Sequence, residues 1–389
     1  MSNIFLIITI ISGISLVYVW ILYPTILAFF SKLIRAEPRP EVRDVDLPPI
    51  SIMIACLNEE ESIKSRITNI YDSDYPCHLI QIIVISDGST DKTAERARLL
   101  SSSSQEIVVL ENDTKSGRAI AHNTGVKHAS GEILVFTDAG TTFEPTFLHS
   151  IVQPFQRTNV GFVTGALRYT NISETEISQS AGMYWKFEQA LRQYESNLGV
   201  NVFGSGACCA MRKELYRDIP PTGDVDFTSP LDASLQNTLC IHQPDAIAYD
   251  EMPDSRTNEL NARVRMTSKN FKGTMERWGW TGVRKYPLKT LVILSHKYGR
   301  WITPFLLLTL LPSSIVSLVL TGGAFVSALV LGQIVFYALG LVGFLKLPVP
   351  GASTIYSFIL GNYGMLLGVL GALSGRVVTT YTPIRNDPT

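Results

Sequence analysis

Residues 4–30, IFLIITIISGISLVYVWILYPTILAFF, carry no charge, and this run constrains the chain more than any other feature. A helix of that length crosses a hydrocarbon core of roughly 30 Å with some tilt. A secretory signal peptide needs a basic start and a shorter apolar core, and neither is present. Lys32, Arg35, Arg39 and Arg43 follow the run, and nothing basic but the amino terminus precedes it. The bias of basic residues toward the cytoplasm predicts an external N-terminus and a cytoplasmic domain after the span. Three further apolar runs close the chain, at about 301–320, 324–345 and 353–375, with Trp301, Tyr337, Tyr356 and Tyr363 suited to the interfaces. Counting them predicts four spans and an external C-terminus; the glycines of the last run also fit a re-entrant segment. Buried helices of a soluble core are the competing reading, but uncharged runs of this length are rare in such cores.

The 389 residues bound the chain to one large or two smaller domains. A net charge of −1 gives no bulk field for nucleic acid. The five cysteines form no CxxC pair and read as small thiols in a reducing compartment. The six histidines show no metal-ligand spacing.

Between the apolar ends the pattern changes. Short runs rich in β-branched residues at 51–56, 79–86, 106–110 and 132–137 read as buried strands, and polar stretches at 60–72, 90–102 and 116–129 read as helices. That spacing is the one expected of βαβ units in a parallel sheet. Ligands of open α/β sheets bind beyond the carboxyl ends of the strands. Three strands end there in polar clusters: Asn58-Glu59-Glu60-Glu61, then Ser86-Asp87-Gly88-Ser89-Thr90-Asp91, then Thr137-Asp138-Ala139-Gly140-Thr141. A single acid after a strand is commonly a helix cap. Three clusters at one sheet edge suit a nucleotide-like ligand with a divalent cation.

These residues resemble family 2 glycosyltransferases of the GT-A fold, in the branch of cellulose and hyaluronan synthases. PPISIMIACLNEEESI is similar to that family's opening strand and NEE turn, VISDGSTDKT to its DDGSTD strand end, and KSGRAIAHNTGVKHASGEILVFTDAG to the stretch leading into its DXD motif. FGSGACCAMRKELY and DVDFTSPL resemble the segments around its catalytic base. The resemblance implies a mixed-sheet GT-A domain over 35–255, between an N-terminal membrane helix (1–34) and, beyond interfacial helices (256–300), about three C-terminal membrane helices with a tail (301–389). It implies an integral membrane enzyme of a bacterial plasma membrane with a cytoplasmic catalytic domain. The reaction would be inverting transfer from a nucleotide-sugar, expected to be a UDP-sugar, to a lipid-linked, glycolipid or polysaccharide acceptor.

Carried over by position, the resemblance makes Asp226 the general base. Ala55, Asn58, Glu60, Asp87, Lys115, Arg118, Asp138 and Arg265 would bind the nucleotide-sugar, with Asp87 at the uracil and Asp138 at the diphosphate and its Mn²⁺ or Mg²⁺. Two positions depart from the pattern. Gly140 replaces the second DXD carboxylate, which weakens the cation site. Ala262 and Met266 replace the glutamine and tryptophan of QxxRW, which argues against processive polymerisation.

Blander readings stand beside these. Asp226 also reads as a helix cap, with Asp224 the alternative base. Lys115 and Arg118 also fit a solvated face. Arg265 also fits an amphipathic surface helix with Arg263, Lys269, Lys272 and Arg277. Glu188 and Glu195, seven apart on one helical face, read as structural salt-bridge partners rather than an acid–base pair. The competing functions are a processive synthase with its own channel, an inactive scaffold that keeps the nucleotide fold, and a transporter. The last needs polar groups inside the spans, where Gln333 and Asn362 are the only amides.

Overall fold

The computed structural model describes residues 2–34, 47–101, 106–171, 176–251 and 255–377. Arg35, Arg39 and Arg43, on which the membrane orientation leans, and most of the C-terminal tail lie outside the described residues.

The chain enters as one long helix built from α1 (Ser2–Val17), a π-helical turn (Tyr18–Leu22) and α2 (Tyr23–Leu33). Then follow β1 (Ile50–Cys56), α3 (Ile63–Tyr71), β2 (Ile80–Asp87), α4 (Thr93–Arg98), β3 (Glu106–Asn112), α5 (Arg118–Val126) and β4 (Ile133–Thr137). These four strands lie where hydrophobicity predicts them. Beyond them come β5 (Thr142–Phe143), α6 (Phe147–Val152), β6 (Val160–Tyr169), α7 (Glu176–Asn197), β7 (Cys209–Arg212), α8 (Val225–Leu235) and β8 (Leu239–Asp250). The chain closes with α9 (Arg256–Lys285), α10 (Pro287–Val292), α11 (Gly299–Thr321), α12 (Ala324–Phe344) and α13 (Ala352–Leu373).

All eight strands form one sheet in the order β3-β2-β1-β4-β7-β6-β8-β5. The first four are parallel, as the βαβ spacing predicts. The parallel pattern stops at β7, which runs antiparallel to both β4 and β6, while β6 and β8 are parallel to each other. The result is a mixed sheet. Ile52, Ile54, Ile82, Val84 and Val135 fill the core on one face, and Met53, Ile83, Ile85, Leu134 and Phe136 fill it on the other. Strands buried on both faces read as continuous apolar runs, and these do. Cys56, Cys208, Cys209 and Cys240 are buried free thiols and Cys77 is exposed and free.

Among the described residues, four helical stretches are long and apolar enough to cross a membrane: Asn3–Leu33, Pro287–Thr321, Ala324–Phe344 and Ala352–Leu373. Their outward sides carry exposed side chains such as Ile11, Ile14, Val319, Phe325 and Leu331. Polar contacts join the first stretch to the second: Thr9 to Ser313, Ser12 to Thr309, and Trp20 Nε1 to Thr303 Oγ1 at 3.1 Å. The helix α13 lies against α9, where Gly364 faces Arg263 and Gly368 faces Thr267. A Cβ on Gly368 would stand 2.6 Å from Thr267 Cβ and 2.9 Å from the Val264 carbonyl oxygen. Gly368→Val is therefore expected to force α13 off α9 and destabilise the protein by about 1–3 kcal/mol. A lowered thermal midpoint in detergent checks this; an unchanged midpoint would show that the two helices do not depend on the contact.

Candidate active site

At the carboxyl ends of β1, β2 and β4 a cavity of about 1090 Å³ opens and runs on to α7, α9, α11 and α13. Ala55, Asp87, Arg118, Asp138, Asp226 and Arg265 all line it. Asn58, Glu60 and Lys115 are not among its lining residues. The first two brace the loops that form its rim. Asn58, in left-handed backbone at φ 56°, accepts from the Thr90 amide at 2.8 Å and donates its own amide to Ser89. Glu60 accepts from the Lys92 amide at 3.0 Å, and its own amide donates to Asp91. The NEE turn thus ties the end of β1 to the end of β2.

Asp87 has a second structural task. Its carboxylate accepts from Asn112 Nδ2 at 2.8 Å, from the Ser116 amide and hydroxyl, and from the Gly117 amide at 2.7 Å. Burial opposes its charge, but these donors win and hold it below the ordinary carboxylate value. The loop from Asn112 to Gly117 is thereby drawn against the tip of β2. The approach requires a glycine at 88: with φ 74°, its Cβ would lie 2.6 Å from the Lys115 nitrogen.

That loop delivers Arg118 at the start of α5. Its Nη2 lies 2.5 Å from Asp138 Oδ1 and donates to the Gly206 carbonyl at 3.0 Å. Gly206 has no side chain to obstruct the guanidinium. Behind Asp138, fully buried Arg66 donates to Thr137 Oγ1 and stacks 3.8 Å from the centroid of Phe143. Burial lowers its pKa to about 9, against the pull of Asp138 and Asp250.

Asp250, at the end of β8, is a site residue that the sequence does not single out. It lines the same cavity, and its pKa is pushed up to about 7 by burial first and by Asp138 second. No motif marks it, because β8 is paired with a strand more than seventy residues away. Among the described residues no group of three or more His, Cys, Asp or Glu is arranged to hold a metal.

The acids at the start of α8 are driven apart. Asp224 is the helix N-cap and is bonded by Lys269 Nζ at 3.0 Å. Burial opposes its charge, but Lys269, Arg118 and Arg265 keep it below the ordinary value. Asp226, in the first turn, meets no ion-pair partner among the described residues; burial first and Asp224 second raise it to about 6. Its main-chain oxygen accepts from the Gly204 amide at 2.9 Å, which joins the Gly204–Gly206 turn to the helix.

The basic residues of α9 do not all face outward. Lys269 holds Asp224, Arg277 holds Asp232 and the Asp218 carbonyl, Arg263 pairs with Glu259, and Arg265 lines the cavity. Only Lys272, beside Glu276, forms the exposed pair of a surface helix.

Comparison with known proteins fits this geometry. Residues 51–220 match the family model for glycosyl transferase family 2. Glycosyltransferase AglE of Haloferax volcanii is 32% identical over 124 residues, covering 32% of this chain and 41% of that protein. A poly-beta-1,6-N-acetyl-D-glucosamine synthase of Staphylococcus epidermidis is 27% identical over 250 residues, covering 63% of this chain and 60% of that one. The chain thus spans less than two thirds of the length of either relative. A mannosyltransferase from Pyrobaculum calidifontis, solved with GDP-Man and Mn²⁺, superposes with a TM-score of 0.73 at 20% identity, over 96% of this chain and 99% of that one. The shared fold is GT-A.

Lys269→Met would leave Asp224 buried without its partner. Removing one member of a buried pair costs about 3–5 kcal/mol, so the variant is expected to unfold at markedly lower denaturant than the parent protein. Equal midpoints would show that Asp224 has another counter-charge.

Proposed function

We propose, from the match of residues 51–220 to the glycosyl transferase family 2 model, that the whole chain is a membrane-bound inverting hexosyltransferase. It moves a sugar from a nucleotide-sugar, a UDP-sugar in the first instance, to a lipid-linked or polysaccharide acceptor at the cytoplasmic face. The observation that carries this reading is the split between Asp224 and Asp226. One acid is committed to Lys269; the other faces the cavity with a pKa of about 6, able to take a proton near neutrality.

In this reading the acceptor hydroxyl attacks the anomeric carbon from the side opposite the nucleoside diphosphate, and Asp226 receives its proton. Arg118 and Arg265 face the charge that develops on the departing diphosphate. Asp87 contributes by fixing the 112–117 loop and hence Arg118, beside any contact with the base. Asn58 and Glu60 act one step further back, through the braced rim, and Lys115 through the same loop.

A divalent cation fits the residues present. Asp138, just after β4, and Asp250, at the end of β8, offer hard oxygen ligands to one cavity, and Mg²⁺ or Mn²⁺ commonly needs only one or two carboxylates beside substrate phosphates. Asp250 thereby supplies the second carboxylate that Gly140 lacks. When bound, the ion would neutralise charge on the leaving diphosphate. Arg118, bonded to Asp138 in the free protein, would then be released toward the phosphates.

Four outcomes test this. Incubated with UDP- and GDP-sugars, Mn²⁺ or Mg²⁺ and a membrane extract, the protein should release nucleoside diphosphate from at least one donor; no turnover and no binding of any donor would end the enzyme reading. Asp226→Asn should lower kcat by about 10²–10⁴-fold with donor affinity retained. Since the raised pKa leaves Asp226 protonated, and so inactive as a base, below about pH 6, the parent's kcat should fall with acidity through that value; a flat acid limb would remove Asp226 from the role. Asp250→Asn should raise the Mn²⁺ concentration needed for half-maximal rate, and an unchanged requirement would exclude it as a ligand.

A further inference from the structure

The cavity continues past Asp226 toward the apolar helices. Phe227, the next residue, meets Trp301 of α11, and Met365 of α13 belongs to the same apolar cluster. Here the cavity is lined by four cations, Arg192, Arg263, Lys297 and Arg300, against two carboxylates, Glu188 and Glu259. Lys297 and Arg300 both bond Glu188, Arg192 approaches it at 3.3 Å, and Arg263 pairs with Glu259. At this end of the cavity these two carboxylates therefore leave an excess of positive charge.

Arg300 is 3% exposed, and its Nη2 has no hydrogen-bond partner. Its Nη1 is used, by Glu188 and by Tyr184 Oη at 3.0 Å. A buried guanidinium N–H without an acceptor is costly, and charged groups cost most. Arg300 also stands inside a stretch apolar enough to span a membrane, where a cation marks a functional position by default. Its guanidinium lies 5.5 Å from the Trp20 ring centroid and 5.3 Å from that of Phe187, so the cationic end of the cavity adjoins aromatic surface. Arg263 reaches the same place from α9, 4.9 Å over the Tyr184 ring. The ligand chemistry that meets all these features is a phosphate ester attached to a hydrocarbon.

We propose that Arg300, Lys297 and Arg263 bind the phosphate of a lipid-diphosphate-linked sugar, whose free hydroxyl reaches Asp226 while its hydrocarbon lies along α11 and α13. This rests on the sugar-transfer reading above and names its acceptor. The bond from that hydroxyl oxygen to the anomeric carbon forms as the bond from the anomeric carbon to the donor phosphate breaks. The electron pair leaves with the nucleoside diphosphate, and the hydroxyl proton passes to Asp226. Glu188 orients Lys297 and Arg300, and the lipid phosphate satisfies the remaining N–H of Arg300.

The test uses the full chain in detergent with the donor that it turns over. Three acceptors are compared: a prenyl diphosphate-linked sugar, the same sugar on an uncharged lipid, and prenyl monophosphate without a sugar. The diphosphate-linked sugar should show a KM at least about ten-fold below that of the uncharged glycolipid. Prenyl monophosphate should compete with it without being glycosylated. Arg300→Gln and Arg263→Gln should each raise the KM for the charged acceptor and leave that for the uncharged one within about two-fold. Calorimetric donor binding, retained in both variants, shows that they are folded. Equal KM values for charged and uncharged acceptors, or variants that raise both alike, would overturn the phosphate site. Glycosylation of prenyl monophosphate would overturn the placement, since the phosphate would then be at Asp226. Failure of the parent protein to bind or turn over any donor is a different result, and it removes the transfer reading itself.

Discussion

One buried carboxylate joins the two halves of this protein. Glu188 on α7 is met by Lys297 and Arg300, by His296 Nε2 at 3.2 Å and by Arg192 at 3.3 Å. Burial works against its charge, yet Lys297, His296 and Arg300 hold it well below the ordinary carboxylate value. One turn pair further along α7, Glu195 accepts from Tyr23 of the first apolar helix at 2.8 Å and meets His296 Nδ1 at 2.6 Å. A helix packed on the sheet is thus bonded to residues of two stretches apolar enough to cross a membrane. Burying this much charge is costly unless every partner is in place, so the network fixes geometry more than it adds stability. Through α7 and α11 it sets where the cavity wall stands relative to Asp226.

The same logic of committed and uncommitted charge runs through the catalytic end. Asp87 is absorbed by the loop that carries Arg118; Asp224 is absorbed by Lys269; Arg118 is held by Asp138. Asp226 and Asp250 both face the cavity without an ion-pair partner among the described residues, and burial raises both; beside Asp224, Asp226 is moved toward neutrality. Each committed pair restricts a group that would otherwise compete for the same proton or the same phosphate.

Much of the first half of the sheet was legible in the sequence, because β1, β2 and β4 are buried on both faces and must be continuous apolar runs, and the half-buried edge strand β3 keeps the apolar run 107–110. The later strands were not, for separate reasons. The strand β7 is four residues long, too short for a period to register, and its antiparallel pairing to β4 joins segments some seventy residues apart. The strand β8 contains His242, Gln243, Pro244 and Asp245, a polar interruption that coincides with a shift of register against β6. Site residues divided in the same way. Asp87, Asp138 and Asp226 follow apolar or motif-like segments and line the cavity. Asp250 ends a strand that could not be read, and Arg66 sits in an ordinary amphipathic helix. Reading Glu188 and Glu195 as salt-bridge partners matched their ion pairs, but a seven-residue spacing cannot show that the partners come from α11 and the turn before it.

That last gap bears on how such a chain divides its labour. A soluble enzyme of this fold can leave its acceptor side open to water. Here the wall opposite the sheet is made by α9 together with α11 and α13, and the last two belong to stretches apolar enough to cross a membrane. Residues on such helices answer to two environments at once. The Arg300 guanidinium lies against the Trp20 and Phe187 rings and also donates to Tyr184 Oη at the cavity. Trp301, one residue on, is 6% exposed and turns toward Phe227 and Phe271, whereas Ile302, the next, is 52% exposed on the outer face. Three consecutive residues therefore mark the passage from charged cavity through aromatic wall to apolar exterior. Such a three-residue sequence suits a helix with a polar cavity on one side and apolar surroundings on the other, which is the arrangement that the proposed transfer from a water-soluble donor to a membrane-held acceptor requires.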